Sequence, residues 1–145
     1  MKKLFFFTIA VLSIISCSGD DSKTLTKGIV TFTVDGKQLV FDDVNIFPSR
    51  NYQWGNENYR SIFSTKGGDA IRITFPITAE AQNGGGDITF TEQGNDFFEM
   101  NAHLEYTENT RHRISGTFSG TFTNGQNGVD EQTRTITNGT FDVRY

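Results

Sequence analysis

The strongest constraint on the fold is a repeated alternation of apolar and polar residues with period two. Ile71, Ile73, Phe75 and Ile77 alternate with polar or small neighbours. Val30, Phe32 and Val34 do the same around Thr31 and Thr33. A period of two puts successive side chains on opposite faces of a pleated strand, whereas a helix needs apolar residues at i, i+3, i+4 and i+7. No stretch after residue 23 shows that helical spacing over three turns. The residue types agree. Beyond residue 23 the only leucines are Leu25, Leu39 and Leu104, while Thr and Phe are abundant. Leu and Ala favour helices, and Thr, Phe, Ile and Val suit a half-buried pleated surface.

Further strands follow from the same pattern. Ile88 and Phe90 continue it beyond the loop at Asn83-Gly84-Gly85-Gly86. Phe98, Met100, Ala102, Leu104 and Tyr106 make one face of a long strand, with Phe97, Glu99, Asn101, His103 and Glu105 on its wet face. Ile114, Gly116, Phe118, Gly120 and Phe122 share a face, and Phe141, Val143 and Tyr145 close the chain. Asp35-Gly36 between two alternating runs is a hairpin signal. The expectation is an all-β domain over residues 28–145. It would have about eight to nine mostly antiparallel strands, as a β-sandwich or a partly open β-barrel.

The first seventeen residues differ from all that follows. Lys2 and Lys3 precede an apolar run from Leu4 to Ile15, broken only by Thr8 and Ser13. The run is too short for the ~20 residues of a membrane-spanning helix and suits a secretory signal. Ser16, a small residue, stands before Cys17, the only cysteine. This resembles a bacterial lipobox. It implies a signal peptide over residues 1–16 and a Cys17 carrying lipid chains of the palmitate type on its sulfur and amine. Buried acyl chains supply about 0.8 kcal/mol of membrane affinity per CH₂. Residues 17–27 then form the lipidated Cys and a flexible tether. Ser18, not Asp, follows the cysteine, so the usual inner-membrane retention signal is absent. The acidic Ser18-Gly19-Asp20-Asp21 stretch resembles a surface-export signal of Bacteroidota lipoproteins, which implies an outer-membrane anchor with surface display.

Charge and composition exclude other classes. With 13 basic and 17 acidic residues, the net charge is −4. Nucleic-acid binding needs a clustered positive field, so no nucleic-acid partner is expected. One cysteine and two histidines provide no disulfide framework and little for a metal cage, so no metal and no cofactor are expected.

The opening Phe32-Thr33-Val34-Asp35-Gly36-Lys37 and the closing Gly116-Thr117-Phe118 and Gly139-Thr140-Phe141 strands, with the lipobox, resemble a family of small all-β lipoproteins of Bacteroidota. The resemblance covers nearly the whole chain and implies a β domain. It carries no catalytic residues.

Several stretches are candidates for function. Residues 49–60 hold the only Trp with Tyr52 and Tyr59 among Asn, Gln and Arg. Sugar rings stack their C–H faces on aromatic rings and pair their hydroxyls with amides and guanidinium groups. Tyr52, Trp54 and Tyr59 would be platforms for a glycan, with Asn56, Asn58 and Arg60 as hydrogen-bonding partners. The plainer reading has Trp54 covering the open end of the core. Asn124 to Glu131 and Asp42-Asp43-Val44-Asn45 carry oxygen ligands without the calcium-loop pattern, and read as solvated turns. Asn138-Gly139 reads as a turn, and His112 between two arginines as a charged turn. His103 beside Glu99 and Glu105 would be an acid/base pair for a small hydrolase, but no motif supplies a nucleophile. The leading expectation is a non-enzymatic, lipid-anchored binding or structural domain. Its partner is the membrane and a glycan or an envelope protein, the latter docked along an edge strand.

Overall fold

The computed structural model describes residues 26–51, 56–77, 86–125 and 131–145, with backbone alone at 49–51 and 56–58. Residues 1–25, which hold the expected leader, Cys17 and most of the expected tether, lie outside the described residues.

Nine strands and no helix make up the described chain: β1 (Lys27–Val34), β2 (Lys37–Phe41), β3 (Val44–Asn51), β4 (Asn56–Lys66), β5 (Asp69–Pro76), β6 (Asp87–Glu92), β7 (Asn95–Asn109), β8 (Arg113–Thr123) and β9 (Thr133–Arg144). They form one sheet in the order β2-β1-β9-β8-β7-β6-β5-β4-β3, antiparallel throughout. The all-β expectation holds, and of its two architectures the chain adopts the barrel, nearly closed, with β2 and β3 as edges that do not pair with each other.

Strand directions explain the closure. Alternating directions along that order make β2 and β3 run the same way. Only Asp42 and Asp43 separate them. They act as one long strand that pairs with β1 over its first half and with β4 over its second. Counted so, eight staves go round, and β1 meets β9 to seal the turn. At the partner switch Ser64 Oγ donates to the Asp43 carbonyl, and Lys66 Nζ donates to the Val40 carbonyl at 3.0 Å. Below the switch β1 and β3 come close without pairing. Pro48 has no N–H to offer that edge, a common way to leave an edge unpaired.

An eight-stranded barrel is just wide enough for side chains to fill it. Here phenylalanine fills it. The Phe32 ring on β1 lies 5.6 Å from Phe90 on β6 and 5.6 Å from Phe118 on β8. β1 and β6 are four places apart in the sheet, so these rings meet across the lumen. Tyr106 similarly reaches Phe75 at 6.4 Å and Phe141 at 6.2 Å. The alternating residues read from the sequence line this core: Val30, Phe32, Ile71, Ile73, Phe75, Ile88, Phe90, Ile114 and Phe122 are all buried.

Backbone irregularities and strand ends correct several expectations. Asp35-Gly36 turns as read, with φ of 46° and 87°. In β7, however, the register to β8 slips between Glu99 and Asn101. The extra residue inverts the alternation. Phe97 is buried, while Phe98 and Met100 are 47% and 61% exposed. Their expected place on the face of Leu104 is therefore wrong, because a bulge turns everything before it over. The same slip puts Glu99 opposite the buried Phe122, on the inward side, and away from His103. Ile77 follows the end of β5 and is 41% exposed, so it does not extend the inward series. In β9, Asn138 has φ 52° at a slip in the pairing with both neighbours, so of the turn or bulge that suits Asn138-Gly139 the chain forms a bulge inside a strand. There Gly139 lies against the Phe118 carbonyl and ring with no room for a Cβ.

Candidate functional site

One end of the barrel, where β1 begins after Thr26, is called the tether end after the tether expected there, and the far end lies at the Asp35-Gly36 turn. The tether end gathers the finish of β3, β5, β7 and β9 and the start of β4, β6 and β8. Most candidates from residues 49–60 belong to it. Tyr52 and Trp54 lie outside the described residues. Asn56 and Asn58 are in β4, with side chains outside them. Tyr59 is only 9% exposed. It stands near Tyr106, whose hydroxyl is pushed well above its ordinary pKa by burial and then by the Tyr59 phenol.

Arg60 is the informative member. In β4 it pairs with Phe75, and Ile62 pairs with Ile73. All three partners and neighbours are buried, so Arg60 points inward, close to where the lumen opens. A long cationic side chain there lays its stem along apolar surface and carries its charge to the rim. Its guanidinium carbon sits 4.7 Å over the Tyr145 ring. Tyr145 is itself fixed, its hydroxyl donating to the Thr110 carbonyl at 2.9 Å. Thr26, Ile46, Phe47, Pro48, Arg60 and Tyr145 line a cleft of about 290 Å³ at the unpaired β1–β3 seam. Sequence reading named Arg60 but treated Tyr145 only as a closing strand residue. Only the β1–β9 pairing brings residue 145 beside the start of β4.

The hydrolase candidate is placed differently. His103 Nε2 is 3.8 Å from Glu105 Oε2, with the two side chains 74% and 68% exposed. Ser119 lies directly across from His103, and both border a shallow depression with Thr117, Asn138 and Thr140. No hydrogen bond joins Ser119 to His103, so the hydroxyl has no base in contact. Glu99, the other expected partner, instead accepts from the Ile88 N–H at 3.2 Å. Burial, then repulsion from Asp87, raises its carboxyl pKa; burial also raises that of Asp87.

Of the loop candidate at 124–131, residues 126–130 lie outside the described residues. Asn124 Oδ1 accepts from Gln132 N, and Glu131 takes the Thr123 hydroxyl, both closing the β8–β9 connection. Asp42 faces Lys66 at 3.9 Å. Among the described residues no group of three His, Cys, Asp or Glu side chains could hold a metal ion. Arg113 ties β8 to its neighbours, bonding Asp142 at 2.9 and 2.8 Å and Glu108 at 2.9 Å. That bond holds the Asp142 carboxyl below its usual range.

Comparison with protein-family models, curated proteins and solved structures finds no match for this chain.

Proposed function

We propose that this chain is a lipid-anchored outer-membrane protein, displayed at the cell surface through Cys17. Its barrel binds a ligand or partner and performs no covalent chemistry. The observation that carries the binding reading is the filled lumen. A barrel of this size serves as a carrier only when its interior is empty, and Phe32 with its ring partners occupies the middle. Recognition is thus left to the ends and the outer wall. The exposed His103–Glu105 pair, without an activated hydroxyl, supports a non-catalytic role. The anchor rests on the sequence: the Lys2-Lys3 start, the apolar run and the small residue before the single cysteine. The likeness to small Bacteroidota lipoproteins belongs to the same proposal.

The test is mass spectrometry of the chain recovered from cell membranes. Cleavage before Cys17 with acyl chains on that residue is the expected result. An intact leader, or an unmodified Cys17, overturns the proposal. A more specific reading, glycan binding at the tether end, is favoured by the cleft in which Arg60 lies over Tyr145.

A further inference from the structure

The two barrel ends treat their inward arginines differently. At the far end Arg134 pairs with Phe122 and so faces inward. Its guanidinium lies 5.0 Å from the Phe97 ring. Glu92 at 2.7 Å and Asp35 at 3.7 Å neutralise it. At the tether end Arg60 has the same inward setting and the same aromatic support from Tyr145. Among the described residues no carboxylate pairs with it. This happens in a chain with an excess of acid, which gives Arg113, Arg134 and Lys66 their partners. An aromatic face attracts a cation without cancelling its charge. Arg60 therefore keeps the capacity to bind an anion, and it keeps it inside a cleft.

We infer that this cleft binds a carboxylate carried on a small ring with an apolar face, the chemistry of an acidic sugar. The inference rests on the glycan reading above and names its ligand class. Arg presents a planar fork that matches a carboxylate with two parallel hydrogen bonds. The fork is held in place because Tyr145 beneath it is anchored to Thr110. Ile46 and Pro48, on the same face of β3 as Arg60 is on β4, form an apolar wall for the C–H face of the ring, and Thr26 borders it. The volume of about 290 Å³ lies at the small end of ligand pockets, so it suits one ring and not a chain.

The experiment titrates the full-length chain in detergent with sodium glucuronate, following ¹⁵N–¹H spectra. Glucose controls for the ring and acetate for the charge. Saturable shifts at Thr26, Ile46, Arg60 and Tyr145 are expected with glucuronate, and none with glucose at equal concentration. Acetate should bind about tenfold more weakly, having no ring for the wall. Arg60→Gln should weaken glucuronate at least about tenfold, and Arg60→Lys, which keeps the charge and loses the fork, by less. Unchanged shifts elsewhere in the spectrum show that each variant is folded. Equal binding of glucose, or glucuronate shifts that survive Arg60→Gln, would overturn the inference. A neutral oligosaccharide that changes Trp54 fluorescence while glucuronate leaves Arg60 untouched would overturn it and spare glycan binding. If neither ligand binds, both fall.

Discussion

Replacing Phe32 with Ala tests the filled lumen directly. Phe32 is 1% exposed, and its ring meets Phe41, Phe90 and Phe118, each at 5.6 Å. Those partners come from β2, β6 and β8, so one truncation removes the contact that joins opposite walls. Phe→Ala changes in cores cost about 3–5 kcal/mol. Three rings lose an aromatic partner at once, which puts the expected cost near 4 kcal/mol. A domain of this size has roughly 6–15 kcal/mol of stability, so the variant still folds at 25 °C. In urea, with a slope of about 1.5 kcal/mol/M, the midpoint falls by roughly 2–3 M. Near-UV circular dichroism follows the loss. The hole is lined by apolar groups and stays dry, so benzene should raise the melting temperature of the variant and not of the wild type. A loss below about 1 kcal/mol, or benzene stabilising the wild type equally, would refute a packed interior.

Other outcomes follow from the backbone irregularities and from the raised pKa of Glu99. Met100→Lys should change stability by less than about 0.5 kcal/mol in urea melts, because the bulge leaves residue 100 in solvent; a loss of several kcal/mol would return it to the core. Gly139→Ala should cost about 1–3 kcal/mol, since a Cβ there meets the Phe118 carbonyl and ring; a variant as stable as the wild type would mean the bulge relaxes freely. Glu99→Gln should stabilise the fold at neutral pH. Burial and then Asp87 raise the Glu99 pKa in the folded state, so the folded state disfavours its ionisation. That penalty is absent below the unfolded value of about 4.3 and builds as pH rises through the folded value. Thermal melts at pH 7 and pH 3 should show the gain only at the higher pH, and an equal effect at both would count against the argument.

Local alternation was a reliable guide where strands are regular. Val30, Phe32, Ile71, Ile73 and Phe75 face inward as their spacing says, and Asp35-Gly36 turns as its chemistry demands. Phe98 and Met100 were misread because a bulge depends on how β7 pairs with β8, not on the residues of β7 alone. Barrel and sandwich produce the same alternation, so only the long-range β1–β9 pairing separates them. The same pairing carries Tyr145 to Arg60, which is why the aromatic half of the cleft was invisible in the sequence. Arg60 itself looked like a loop hydrogen-bonding group, since nothing in residues 49–60 reveals its place opposite Phe75.

The stave that seals this cask is the last one cut. Until Phe141 and Val143 emerge, Val30 has no neighbour on that flank, and the tube stays an open ribbon with its greasy side bare. Contacts so distant along a chain make for slow, late assembly. The corollary is severe: a stop codon before residue 133 forfeits the whole vessel, not one ninth of it.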